Sequence, residues 1–353
     1  MITRPFARPG PRHPRRRQRG LSMIELMVAL AISMFLLAGL VAVFATSNRT
    51  YLELNRAGQQ IENGRFAVQI LSDDIAMAGF YGRYYSSASM ATPGALPDPC
   101  ETATMATLLT GVALPVQGYN APASSPITAC VPVANHVAGT DIIVVRRADS
   151  TATAVGALQA QEVYIQANAD PTMAPIVALG NAANFTLRNR DGTTTAPIRK
   201  FHVHVYFVAP CSLPNGGGTT CTGAADDGGS PIPTLKRLEL MVDPSDGTRK
   251  MLLRPLVEGI ENFQLDYGID TDTNGVQDAA ALTAAPATVD DWRNVVTIRI
   301  NVLARNLQAT PGYTDAKTYD MGVAGTVTPG GAFKRHVYNA VRRVVNPSAR
   351  RES

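Results

Sequence analysis

The chain has 353 residues, 45% of them hydrophobic and 17% charged, with a formal net charge of +4. That length accommodates one large domain or two ordinary ones beyond any membrane segment. The charge is not spread along the chain: residues 1–20 hold seven arginines and no acid, so 32 less 7 leaves 25 basic against 28 acidic side chains, a formal −3 for the remainder. The basic balance therefore belongs to the leader, and the apolar run beside it favours a topogenic reading of the arginine-rich arm over a nucleic-acid-binding one, because a basic flank beside an apolar run is retained in the cytoplasm.

The arm ends at Gly20, and Leu21-Ser22-Met23-Ile24-Glu25 opens an apolar run in which Leu26 to Asn48 carry no charge. At about 1.5 Å per helical residue this run exceeds the roughly 30 Å hydrocarbon core of a bilayer. Glu25 is the lone acid at its start. An ionised carboxylate in hydrocarbon is costly, so it needs a partner or a place at the interface to which it can snorkel. An ordinary secretory signal ending at Val43-Phe44-Ala45 would have too long an apolar region and would leave Gly20 and Glu25 without a role. The helix is expected to continue to about residue 79. Leu54, Ala57, Ile61, Gly64, Val68, Leu71, Ile75 and Ala78 recur in steps of three and four, with Asn55, Gln59, Glu62, Arg65, Gln69, Asp73 and Asp74 on the other face. Gly58 and Gly64 are the expected places for a bend, and Gly79 and Gly82 supply the stop.

Residues 86–135 are rich in Ser, Ala, Thr and Pro and read as irregular structure. Strand-like runs follow at 141–146, 162–165, 200–208, 235–242, 263–267 and 295–303, the last with Arg299 and Asn301 on one side. Asp191-Gly192, Asp246-Gly247 and Asn274-Gly275 mark turns. The expected fold class is α+β: a long N-terminal helix (21–79, with 21–48 crossing the membrane) laid on a mostly antiparallel sheet formed by residues 80–353, one face of which can stay wet.

Cys100, Cys130, Cys211 and Cys221 form no C-x-x-C pair, and all lie on the side expected to be exported, where disulfides persist. Of three pairings, nearest neighbours give Cys100–Cys130 and Cys211–Cys221, the second closing a glycine-rich loop. Asp270, Asp272, Asn274 and Asp278 stand at positions 1, 3, 5 and 9 of a loop with Gly275 at position 6, the first part of a Ca2+ loop; position 12 is Ala281, so the bidentate glutamate is missing. An acidic solvated loop is the competing reading. His202 and His204 alternate along a strand and offer at most two ligands of a metal site. No nucleophile–base motif, P-loop or H-E-x-x-H occurs, so a structural protein that requires no cofactor, rather than an enzyme, is expected.

The stretch Arg19 to Leu30 resembles the class III signal of type IV prepilins. The resemblance implies cleavage after Gly20 by prepilin peptidase, methylation of the new amine on Leu21, and a role for Glu25 in filament assembly. Leu21 stands where phenylalanine is usual. Three further blocks resemble PilW-type minor pilins of type IV pili: Asn63-Gly64-Arg65-Phe66 through Ala78-Gly79-Phe80-Tyr81-Gly82, Leu256 to Gly268, and Val296 to Arg305. They imply a pilin-like fold, other minor and major pilins as partners, the inner membrane as the site of insertion with a periplasmic head, and a part in priming pilus assembly. A J-type pseudopilin of type II secretion shares the signal. A membrane-anchored periplasmic enzyme or binding protein that keeps residues 1–20 is the reading from another class.

Overall fold

The computed structural model describes residues 20–84, 90, 92–170, 172–278 and 282–352, so the arginine-rich arm before Gly20, and Ala281, lie outside the described residues. The chain forms two compact units, residues 1–54 and 55–353. Within the first unit, helix α1 (Met23–Met77) begins as a helix whose apolar side chains, from Met23 to Phe44, are exposed on every side. Such a surface suits a solvent that is itself apolar.

In the second unit α1 continues without a break to Met77, followed by α2 (Met105–Gly111), α3 (Val289–Arg293) and α4 (Val345–Arg351). The strands are β1 (Val116–Tyr119), β2 (Ile142–Ala148), β3 (Val163–Gln166), β4 (Ile176–Leu179), β5 (Ile198–Ala209), β6 (Thr234–Val242), β7 (Arg249–Glu258), β8 (Ile260–Ile269), β9 (Val295–Arg305), β10 (Tyr319–Asp320), β11 (Thr326–Val327) and β12 (Arg335–Arg343). All pairings among these named strands are antiparallel. The larger sheet runs β1-β2-β5-β3-β4, with β6 also on β5 and β7 on β6; the smaller runs β12-β9-β8.

Sheet passes to sheet at Gly259, the single residue between β7 and β8. Its φ of +77° and the 2.7 Å that would separate a Cβ from the Arg305 carbonyl oxygen both demand glycine. Asp141 makes a second joint. Its backbone N–H donates to the Phe263 carbonyl, and its carboxylate accepts from the backbone N–H groups of Ala121 and Leu265, each at 2.7 Å.

Helix α1 contributes Ala67, Leu71 and Ile75, joined by Ala78 just past its end, all fully buried, to a core shared with Val208 and Leu235 of the larger sheet and Ile260, Phe263, Ile298 and Ile300 of the smaller. The buried stripe is rotated from the expected one. Ile61 is half exposed and Gln60 is buried, its amide donating to the carbonyls of Ala304 (2.9 Å) and Lys334 (3.2 Å). The strand ends beneath this turn offer bare acceptors, which a glutamine satisfies and an isoleucine cannot. The opposite face of the larger sheet is also buried, around Phe201, Val203, Val205 and Phe207 with Tyr81, Leu108 and Val131. The expectation of one wet face therefore fails for β5, and burial on both faces explains why its sequence alternates only in part. The segment expected to be irregular holds α2 and β1. Strands β4, β7 and β12 were not legible as separate runs.

The helix runs through Gly58 and Gly64 without interruption. Gly58 has open space around it, whereas at Gly64 the ring of Tyr338 from β12 occupies the place of a side chain, with Cε2 only 2.2 Å from where a Cβ would stand. Glycine is there for close approach. Gly58→Ala is accordingly expected to raise the stability of the full-length protein by up to about 1 kcal/mol, and Gly64→Ala to lower it by about 1–3 kcal/mol through overpacking. Thermal melts of the two variants in the same detergent check the opposite signs.

Candidate functional site

The N-terminal segment begins the first unit. Ser22 and Glu25 form a reciprocal cap: the Ser22 backbone N–H donates to Glu25 Oε2 at 3.0 Å and the Glu25 N–H donates to Ser22 Oγ at 3.2 Å. The signal for this was present in the S-x-x-E spacing of Ser22 to Glu25, which the sequence reading passed over. The carboxylate is thus held by its own chain at the first turn, beside the residue that follows Leu21. Both Gly20 and Leu21 are exposed, and a Cβ on Gly20 would meet nothing within 4 Å, so the backbone around the Gly20–Leu21 bond is open to approach.

In the second unit the end of α1 carries a buried polar cluster. Asp74 was read as part of the wet face, but it lies three residues after Leu71 and four before Ala78, which places it on the buried stripe. One carboxylate oxygen accepts from Tyr206 Oη (2.8 Å) and contacts His204 Nδ1 (2.6 Å); the other accepts from Arg147 Nε (2.6 Å). Arg237 donates to the Tyr206 hydroxyl at 3.2 Å and pairs with Glu239. Burial alone would push the Asp74 carboxyl up, but His204 and Arg147 outweigh it and hold it well below the usual carboxylate range. Burial raises Tyr206 well above its ordinary value, and the Asp74 charge adds to that. His202, on the same face, is lowered to about 4 by burial and by the neighbouring His204 and Arg147; it lies 3.8 Å from Asp149. With His204 committed to Asp74, the two histidines do not converge on a metal. Trp292 is buried against Tyr267, ring centroids 4.7 Å apart, and serves the core.

Helix α1 ends at a glycine with φ of +72°, Gly79. Carbonyls at and just past the helix end are met from the C-terminal segment: Asn346 donates to those of Ala76 at 3.4 Å and Ala78 at 3.2 Å, and Arg350 to that of Gly79 at 3.0 Å. Disulfides join Cys100 to Cys130 and Cys211 to Cys221, on the face of the larger sheet away from α1.

The 270–278 loop brings single carboxylate oxygens of Asp270, Asp272 and Asp278 within 4.8 Å of one another. Asn274 lies beside Asp272: its side-chain oxygen accepts from the Val276 N–H at 2.8 Å and its amide donates to Asp272 at 2.9 Å. Asp270 is buried, accepts from the N–H groups of Asn274 (3.2 Å) and Gly275 (2.9 Å), and pairs with Arg351 of α4 at 3.1 Å. A guanidinium thus sits on the carboxylate that would head a cation site. Arg299 and Asn301 do share one side of β9 and both meet Asp266, at 2.6 and 3.0 Å.

Comparison with known proteins places the chain first by class. The prokaryotic N-terminal methylation motif matches residues 15–41, which include Gly20, Leu21 and Glu25. Type IV pilus-assembly protein W then matches residues 222–346, the stretch that contains β6 to β12 and so the whole smaller sheet. Two of the blocks that resemble PilW, 256–268 and 296–305, fall inside that match, and the block 63–82 falls outside both. No curated protein and no solved structure matches. The two matches and the fold are consistent with a PilW-type minor pilin, and they support a role in type IV pilus assembly. The motif and the apolar start of α1 indicate a membrane-anchored protein, and the matched families are structural rather than enzymatic.

The Asp74 cluster predicts a pH dependence. A carboxyl depressed on folding contributes stability that is complete above the unfolded value near about 3.9 and is lost as pH falls below it. Asp74→Ala, which leaves the buried His204 and the half-buried Arg147 without their acid, is expected to cost about 3–5 kcal/mol at pH 7. Its melting temperature should fall less steeply than the wild type's between pH 5 and pH 3, as followed by circular dichroism.

Proposed function

We propose that this chain is a minor pilin that enters the inner membrane through residues 21–48, leaves its N-terminus in the cytoplasm and exports residues 80–353 to the periplasm. Prepilin peptidase cuts after Gly20, Leu21 is methylated, and the mature protein joins other minor pilins and the major pilin in starting a type IV pilus. One observation carries this reading: the methylation motif falls on the start of a helix that, as far as Phe44, is apolar on every side and carries a single acid, Glu25, at its first turn. Basic side chains before Gly20 and their absence from 21–48 favour the N-in orientation. Glu25 accepts a backbone N–H in the free chain. In assembly it exchanges that weak donor for the charged amine of a neighbouring subunit, because a paired ion in a low-dielectric setting is far less costly than two unpaired ones.

N-terminal mass spectrometry of the protein from membranes is expected to find N-methylated Leu21 as the first residue. A chain retaining residues 1–20 rejects the assignment and favours a membrane-anchored protein of another kind. Glu25→Val should still insert and still be cut, yet fail to co-purify with the other pilins; normal incorporation would remove the pairing role.

A Ca2+ ion on Asp270, Asp272 and Asp278 is a second, separate proposal, resting on the convergence of the three carboxylates. The ion would share Asp270 with Arg351. Arg351→Gln is therefore expected to enlarge the rise in melting temperature on adding Ca2+. No response in either form shows the loop to be an acidic turn held by α4.

A further inference from the structure

Strand β12 ends the smaller sheet, and its register shows which of its backbone groups are unused. Val344 donates to the Val296 carbonyl and Asn306 to that of Lys334, so the even-numbered residues of β12 are the hydrogen-bonded partners of β9. The N–H and C=O groups of Val337, Asn339 and Val341 therefore point outward, and no backbone partner meets them among the described residues. Asn339, Val341 and Arg342 are exposed. The edges at β8 and β7 are guarded. The outer edge of β8 is closed by Asp141 and by reciprocal hydrogen bonds between Tyr267 and Thr283. On β7, Lys250 and Arg254 are exposed and Pro255, beside a register shift in the pairing with β6, lacks an N–H. Strand β12 has neither a proline nor a bulge.

A groove flanks β12 on each face. One, about 510 Å³, lies between β12 and α1, with Ile61 and Tyr338 as apolar walls and Lys317 and Lys334 in its lining beside His336 and Arg335, the last paired with Glu261 and Asp315; no carboxylate is among its lining residues. The Tyr338 hydroxyl in its wall is buried without a hydrogen-bond partner. The other, about 330 Å³, sets Arg299, Asn301 and Asn339 beside Asp320. An added strand sends alternate side chains to the two faces, and here each face offers a recess.

We propose that the outer edge of β12 is a strand-addition site for an extended segment of a partner protein, with carboxylates at the alternate positions that face α1. The charge of the α1-side groove selects that chemistry. A second copy of this chain is disfavoured: pairing β12 with itself about Asn339 sets His336 opposite Arg342 and Arg335 opposite Arg343. The inference deepens the minor-pilin reading by giving the chemistry of a partner, but its test needs neither membrane insertion nor a pilus.

The test uses the full chain in detergent and two fluorescent peptides, one alternating glutamate and valine, the other lysine and valine. The glutamate peptide is expected to bind at least about tenfold more tightly than the lysine peptide. Val341→Pro removes an outward N–H without touching the bonds to β9, and should weaken the glutamate peptide about tenfold with little change in melting temperature. Arg342→Glu keeps the test decisive if the proline variant does not fold; it should narrow or reverse the preference. Equal binding of both peptides, binding unchanged in Val341→Pro and Arg342→Glu, no binding of either peptide, or dimerisation of the chain through β12 would each overturn the proposal. None of these outcomes bears on cleavage after Gly20, which fails or stands on its own mass spectrum.

Discussion

The second half of α1 must fit between two sheets, and the residues on its inner stripe are set by that confinement. Gly64 yields to an aromatic ring, Ala67 and Ala78 keep the helix close, and Leu71 and Ile75 fill the space that remains. A stripe of larger residues would hold the sheets apart, and one of polar residues would waste the apolar faces of β5, β8 and β9. The same helix, some turns earlier, has no such stripe and is apolar all round. One element thus answers to two solvents: hydrocarbon at its start, and the interior of a β-rich unit at its end.

Polar groups fix how the helix end is seated. Hydrophobic packing along a helix tolerates a small slide or rotation, but a buried carboxylate that must meet His204, Tyr206 and Arg147 does not. The C-terminal segment adds a second fixture: Asn346 and Arg350 cap the helix while Arg351 reaches Asp270. Chain ends that are remote in sequence are thereby joined at one place. The two sheets are joined by an equally local device, Gly259 with Asp141, which lets β7 turn into β8 without a loop.

Much of this was legible in the residues. The extent of α1, six of the strands and the two ends of the Asp246-Gly247 turn follow from periodicity and turn chemistry, which are local. Asp74 was misread and Gln60 passed over for a single reason: a polar residue on a helix is wet by default, and only the carbonyls of Ala304 and Lys334, or Arg147 of β2 with His204 and Tyr206 of β5, make its burial favourable. Gly64 was misread as a weakness because the ring that needs it comes from residue 338. Strand β12 escaped notice because half of its residues are exposed at a sheet edge, where alternation is not enforced.

By itself the sequence determined the division at Gly20, the apolar start of the helix with Glu25 as its lone acid, the α+β class and the resemblance to minor pilins, since each rests on composition and spacing along a short stretch. The tertiary structure decided which face of the helix is buried, which glycine is a close contact, that Arg351 sits on the acidic loop, and that β12 rather than β7 or β8 is the open edge. Those features depend on groups distant along the chain, and no local pattern encodes what will be waiting on the other side of a contact.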